Sequence, residues 1–213
     1  EQDMRGMGGL AEKIPITYAT MFIGSIAISG IPPLAGFFSK DEILGEAFKF
    51  GFLWVWAVGL FVALLTAFYM FRLMGLTFWG TFRGPREIWD RIHESPRVMT
   101  VPLILLAIPS VLLGIALGLP FGDSTIHRWL EPVFHHATEM LALPHEPYAL
   151  FGIDGGLILA SVTVAVIGLV LAWRYFGVEL GGLRLPARPE LVREISARPG
   201  LSFLYRASLN KWW

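Results

Sequence analysis

The sequence predicts an all-α fold of polytopic transmembrane helices, with about four crossings and a first crossing that is broken by prolines. The main observation is a shortage of charge: 16% of the 213 residues are charged, against about 25% in a typical soluble domain. A helix needs roughly 20 apolar residues to cross the ~30 Å hydrocarbon layer. Four stretches of about that length contain no charged residue: Ile14–Phe38, Phe50–Phe71, Val98–Gly122 and Gly155–Trp173.

Composition also excludes several classes of protein. The 17 basic and 17 acidic residues balance, so no overall basic charge points to nucleic acid. The chain has no cysteine, which excludes disulfides, iron–sulfur clusters and thiolate zinc sites. We find no glycine-rich phosphate loop and no dinucleotide-binding fingerprint.

The whole chain, 1–213, is interpreted as one membrane domain with crossings at about 14–44, 50–79, 98–120 and 154–176, followed by an amphipathic tail at 177–213. We expect an internal piece of a longer protein, because the first residue is not Met and the chain stops abruptly. Small-residue faces on the later crossings, such as Gly155-Gly156 and Gly168, are expected to pack against neighbours outside this piece.

The first crossing contains a helix break. Pro32 and Pro33 each lack a backbone donor, and a residue that precedes a proline is disfavoured in the α region. We therefore expect an interruption within Ser29–Gly36, which includes Gly30, and unpaired carbonyls near Ile31. Such a break is either a packing kink or an ion site of the kind that transporters build from interrupted helices.

Lys40, Asp41 and Glu42 follow the break directly. The span Ile14–Leu44 would be about 46 Å long as a continuous helix, longer than the bilayer core is thick. Lys40 is therefore either an intramembrane functional residue or an interfacial anchor at the helix end. Spacing alone does not choose between these alternatives.

The second crossing ends in a polar strip of Thr66, Tyr69 and Arg72, which share one side of the helix. An arginine that snorkels to the interface is the commoner explanation of such a strip. A contact with a proton path is the alternative, and it makes Tyr69 and Arg72 possible secondary site residues together with Glu42.

The histidines are weaker candidates. His135, His136 and Glu139 have a spacing that would place metal ligands on one helix face, but no specific metal motif is present. We interpret them, and His93 beside Glu94, as solvated loop residues and expect no metal site.

Basic residues predict the orientation. Thirteen of them lie in the N-terminal segment, loop 80–97 and the tail, against one in each of the two other connections. The positive-inside rule places these three segments on the cytoplasmic face. Trp54, Trp79, Trp173 and other aromatic residues at the ends of crossings fit interfacial belts.

Two motifs resemble the subunit L (chain 5) family of proton-pumping NADH:quinone oxidoreductase, respiratory complex I. They are Glu1–Arg5 (EQDMR) with Met7–Leu10 (MGGL), and Gly30–Leu44 (GIPPLAGFFSKDEIL). Looser similarity lies in Phe68–Arg72 and near the C-terminus. Related multisubunit Na⁺/H⁺ antiporters share the Gly-Ile-Pro-Pro and Phe-Ser-Lys elements but usually differ at the opening motif.

The resemblance implies a C-terminal-half fragment of an antiporter-like, proton-translocating subunit. It implies that Lys40 is the lysine of the central hydrophilic axis and that Asp41 lies toward the exit side. It also implies that this chain binds no cofactor, since NADH, FMN, iron–sulfur clusters and quinone would be held by other subunits of the enzyme. The expected partners are other membrane-arm subunits, the lipid bilayer and protons, with no nucleic acid.

The expected location is the bacterial inner membrane, multi-pass, with the N-terminus and the tail cytoplasmic. Two alternatives remain at this point: a subunit of an Mrp-type cation/proton antiporter, and a purely structural membrane piece in which Lys40 is an anchor. The genes that neighbour this one distinguish an antiporter subunit from an oxidoreductase subunit. The depth of Lys40 in the membrane distinguishes an anchor from a functional residue.

Single cysteines introduced at positions 90 and 190 of the full-length protein test the orientation. We expect both to react with an impermeant maleimide from the same side of the membrane, because the arginines around them favour one face. Labelling from opposite sides would show that one of the last two crossings does not span.

Overall fold

A computed structural model describes residues 3–118, 125, 128–133, 153–176, 178–180 and 183–185. Two 3₁₀ turns, Met4–Gly6 and Leu10–Glu12, precede the helices. The helices are α1 (Pro15–Ser29), α2 (Ala35–Lys49), α3 (Leu53–Thr77), α4 (Arg86–Trp89), α5 (Arg97–Gly118), α6 (128–133) and α7 (Ile153–Phe176). Two three-residue strands, β1 (Val178–Leu180) and β2 (Leu183–Leu185), then pair antiparallel.

The predicted fold of polytopic membrane helices is confirmed. Three helices of the described part are long and apolar enough to cross a membrane: Leu53–Thr77, Arg97–Ala116 and Gly155–Phe176. The shorter apolar helix α1 has 15 residues, about 22 Å of rise, and needs the segment beyond the break to complete a crossing. The β1–β2 pair at the start of the tail was not predicted from the sequence.

The predicted break is present. α1 ends at Ser29, and α2 begins at Ala35. Gly30 closes α1 in the left-handed conformation, with φ 76°, and its N–H donates to Ala27 O at 3.1 Å. The expectation of an unpaired carbonyl is wrong for Ile31 itself, because Ile31 O accepts from Leu34 N at 3.3 Å. The N–H of Leu34 thus serves as a donor within the turn, where the two prolines have none.

α2 is the central helix of the bundle, since it packs against α1, α3, α5 and α7. Glycines allow the close approaches. A Cβ on Gly168 of α7 would lie 2.5 Å from Leu64 O and 3.0 Å from Ala67 Cβ, both on α3. Gly168 therefore packs within this chain, and the expectation of an outside neighbour is wrong for it. An added Cβ on Gly156 would meet nothing within 4 Å, so the expectation stays open there.

A buried aromatic cluster joins the end of α3 to α1. Trp79 is 4% exposed and its indole N–H donates to Tyr18 Oη at 3.1 Å. Phe22 and Phe78 complete the cluster, with ring centroids 6.3 Å from Trp79 and 5.4 Å from Tyr18 respectively. Trp79 is thus a core residue, and its assignment to an interfacial belt is wrong because its polar atom finds a partner inside the protein.

The N-terminal segment and loop 80–97 meet at one end of the helices. Gly9 N donates to Trp79 O at 3.1 Å, and Ala11 N donates to Phe78 O at 3.2 Å. The last turn of α7 reaches the same end, because Phe176 lies 5.9 Å from the ring of Phe68 in the second half of α3. The start of the tail is therefore at the end that holds loop 80–97.

Glu94 of this loop caps the first turn of α1. Its carboxylate accepts from Ile16 N at 2.7 Å, from Thr17 N at 3.3 Å and from Thr17 Oγ1 at 2.7 Å. These amides have no partner within the helix, and a negative charge complements the helix dipole at this end. Slight burial acts to raise the pKa of Glu94, but these bonds and one from Ser95 N outweigh it and hold the pKa below its ordinary value of 4.5.

Glu94→Ala should weaken the first turn of α1. We expect the amides of Ile16 and Thr17 to exchange with deuterium about fivefold faster in the purified full-length protein, as the loss of a cap worth ~1 kcal/mol implies. Glu87→Ala, at an exposed acid of the same loop, is the control and should leave both amides unchanged.

The effect of Glu94 should depend on pH. Because the folded-state pKa is lowered, the stabilisation is complete above about 4.5 and is lost as the pH falls through the folded-state value. The difference in protection between wild type and Glu94→Ala should close over that acidic range. A difference that persists at lower pH would show that the carboxylate charge is not the cause.

Candidate functional site

Lys40 folds back across the break. Its Nζ donates to Ser29 O, the last residue of α1, at 3.5 Å. The stem of the side chain passes over Gly30, where an added Cβ would lie 3.1 Å from Lys40 Cδ. Gly30 is therefore required twice, for its left-handed φ and for the space that the lysine occupies.

The position of Lys40 is electrostatically favourable. The carbonyls of the last turn of a helix lack intrahelical donors and carry the negative end of the helix dipole. The Lys40 ammonium lies against this end of α1 while being partly buried. An ammonium without such partners would be costly at membrane depth, so the break and the lysine stabilise each other.

Asp41 points toward α7 and is only 8% exposed. One carboxylate oxygen, Oδ1, accepts a hydrogen bond from the hydroxyl of Ser161, which is itself 4% exposed. The other oxygen, Oδ2, is buried and has no hydrogen-bond partner among the described residues. A buried carboxyl with one free oxygen next to a lysine is able to exchange protons.

The secondary candidates, Glu42, Tyr69 and Arg72, have other surroundings than Lys40 and Asp41. Glu42 is partly buried on α2. Tyr69 is 49% exposed on α3, and the Arg72 guanidinium lies 5.4 Å from the centre of the Phe176 ring on α7. These contacts tie Arg72 to the end of α7, where it fits a cation–π contact at the polar end of a helix.

The histidine predictions lie mostly outside the described residues, since His135, His136 and Glu139 belong to 134–152. His93 is exposed, and its Nδ1 lies 3.0 Å from Arg91 O. In the part of the chain that the structure describes, no group of histidine and acidic side chains could hold a metal ion.

α5 closes over the break. A Cβ on Gly114 would lie 2.5 Å from Ala35 N and 2.8 Å from Pro33 O, so the α5 backbone passes directly over the turn. Ser29, Gly30 and Leu34 are buried around this turn, whereas Pro32 and Pro33 are exposed, so α5 covers one side of the irregular backbone. Sequence reasoning missed both Gly114 and Ser161, because neither residue belongs to a motif.

The break, Lys40 and Asp41 lie in a part of the chain that matches a known family. Residues 1–66 match the family of the NADH:quinone oxidoreductase/Mrp antiporter transmembrane region. Over these residues the chain is similar to that family. The match includes both halves of the broken helix, with Gly30, Lys40 and Asp41.

Similarity to individual relatives extends over the whole chain and confirms the resemblance stated from the motifs. NAD(P)H-quinone oxidoreductase chain 5 of Picosynechococcus sp. is 41% identical over 231 residues, which cover 100% of this chain and 32% of that protein. NADH-quinone oxidoreductase subunit L of Mycobacterium tuberculosis is 37% identical, over 94% of this chain and 32% of that protein. The same subunit of Rhodobacter capsulatus is 33% identical, over 100% and 37%. The chain thus spans about a third of the length of these relatives. Its apolar helices and these relatives together show a multi-pass membrane protein.

Gly114→Ala tests whether α5 holds the break closed. The added methyl would meet backbone atoms of Pro33 and Ala35, and overpacking of this kind costs typically 1–3 kcal/mol. We expect less folded full-length protein in the membrane and a lower midpoint of thermal unfolding. Gly24→Ala on α1, where an added Cβ meets nothing within 4 Å, is the matched control. Equal behaviour of the two variants would contradict the role of Gly114.

Proposed function

We propose that this chain is part of a proton-translocating membrane subunit of an NADH:quinone oxidoreductase, in which Lys40 and Asp41 transfer protons. The observation that carries the proposal is the contact of the Lys40 ammonium with the carbonyl end of α1 across the break. It favours an intramembrane role over an interfacial anchor, because the charge is directed to a protein carbonyl. The choice of enzyme rests on the relatives, which are named as subunits of NAD(P)H- or NADH-quinone oxidoreductases.

The chemistry of lysine suits the role. A lysine side chain is able to bind and release a proton in a protein, whereas an arginine stays protonated. A shift of charge in a neighbouring part of the membrane domain would release the proton from Lys40. The buried carboxyl of Asp41 follows Lys40 directly on the same helix and would stabilise the ammonium or take up the proton for release.

We also propose the partners of this chain and its membrane. The chain would pack against other membrane-arm subunits and lipid, while NADH, FMN, iron–sulfur clusters and quinone would be bound by other subunits. Loop 80–97, the N-terminal segment and the start of the tail lie at one end of the helices, which supports their placement on one side. Their arginines favour the cytoplasmic side, here of a bacterial inner membrane.

A cation/proton antiporter is the second candidate, because the matched family includes Mrp antiporters. Membrane vesicles distinguish the two. In the oxidoreductase, acidification driven by NADH and quinone should proceed without sodium. In the antiporter, a sodium gradient alone should move protons.

Lys40→Ala in the assembled enzyme should lower proton pumping roughly tenfold or more, a loss typical of a missing proton-transfer group. Lys40→Arg should also be impaired, since it keeps the charge but does not release the proton. Arg72→Lys should be milder. Pumping is measured as quenching of a pH-sensitive dye in vesicles, alongside quinone reduction.

Lys49→Ala provides the matched control for these variants. Lys49 lies at the end of the same helix and faces Glu46 at 3.8 Å, so its loss should leave pumping near the wild-type rate. Normal pumping by fully assembled Lys40→Ala would contradict the proposed function and leave Lys40 as an anchor.

A further inference from the structure

Ser161 differs from two other buried serines of the bundle, Ser25 and Ser29, in the acceptor it uses. A serine inside a helix commonly donates to the carbonyl four residues earlier. Ser25 does so to Met21 O and Ser29 does so to Ser25 O, each at 2.7 Å. Ser161 instead donates across the α2–α7 interface to Asp41, which lies 120 residues away in the chain.

From this geometry we propose that Ser161 is the positioning residue of Asp41: its hydroxyl holds Oδ1 and leaves Oδ2 as the oxygen that binds and releases the proton. This inference rests on the proposed function of Asp41 in proton transfer. It adds α7 to a site whose other parts, the break and Lys40, lie within α1 and α2.

Two observations support the assignment of the oxygens. Asp41 and Ser161 are 8% and 4% exposed, so their bond forms away from bulk water and fixes the carboxyl plane. Oδ2 is buried without a hydrogen-bond partner among the described residues. Oδ2 is therefore the oxygen on which a proton can be bound without breaking the bond from Ser161.

The chemical step at Asp41 is a simple proton transfer. A proton arriving from the Lys40 ammonium or from water binds Oδ2 and converts the carboxylate to a neutral acid, and its departure restores the charge. The Ser161 hydroxyl donates to Oδ1 in the charged state and keeps its own proton throughout. Ser161 therefore orients the carboxyl and favours its charged form without itself being consumed.

Labelling with a hydrophobic carbodiimide tests the proposal directly, because this reagent modifies carboxyl groups that are protonated in an apolar environment. The assembled enzyme is treated near neutral pH, and the modification of Asp41 is measured by mass spectrometry. Ser161→Ala should raise the labelling rate about fivefold, since a carboxylate that loses one hydrogen-bond donor is protonated more readily.

Two further variants separate the hydroxyl from packing. Ser161→Thr keeps the donor and should label at the wild-type rate. Thr163→Val removes a hydroxyl from an exposed position of the same helix and should also match wild type. A wild-type rate in Ser161→Ala, an equal increase in Ser161→Thr, or no labelling of Asp41 in any variant would overturn the proposal.

Pumping assays distinguish this inference from the function on which it rests. Ser161→Ala should also slow proton pumping several-fold, and Ser161→Thr should restore it. If Lys40→Ala stops pumping while Ser161→Ala changes neither labelling nor pumping, only the role of Ser161 fails. If Lys40→Ala pumps normally while labelling of Asp41 follows the expected pattern, the proposed function fails, but the hydrogen bond from Ser161 to Asp41 is still supported.

Discussion

Two consecutive prolines in the middle of a membrane crossing impose the constraint on which the rest of the structure depends. Pro32 and Pro33 provide no backbone donors, so the carbonyls at the end of α1 must find partners where water is scarce. Lys40 serves one of them, at Ser29. α5 covers the turn through Gly114. α2, which follows the turn, packs against α1, α3, α5 and α7, so the residues just after the break lie at the centre of the bundle.

α1 is stabilised at both ends by side chains from outside it. Glu94 places a negative charge at the N-terminus, and Lys40 places a positive charge at the C-terminus. Both signs complement the helix dipole. An isolated apolar helix of 15 residues is marginal, so these two contacts and the aromatic packing of Tyr18 and Phe22 supply what its length does not.

The sequence predicts the features that local chemistry determines. The prolines predict the break, and the absence of charge predicts the helices, since both depend on neighbouring residues alone. The partners of Lys40 and Asp41 depend on how helices pack. Ser161 is an ordinary serine in an apolar run, and Glu94 is separated from Thr17 by 77 positions, so no spacing rule could find them. Trp79 was misassigned because a tryptophan at a helix end looks the same whether its indole faces lipid or Tyr18.

The capped start of α1 and its fixed length also determine how deep the break lies. Fifteen residues carry the chain about 22 Å inward from the turn that Glu94 holds, beyond the midplane of a ~30 Å hydrocarbon layer if α1 starts at its edge. One residue added within α1 would move the break by about 1.5 Å and rotate it by roughly 100°. The lysine would then face a different neighbour, so the length of this helix is as specific to the site as the residues within it.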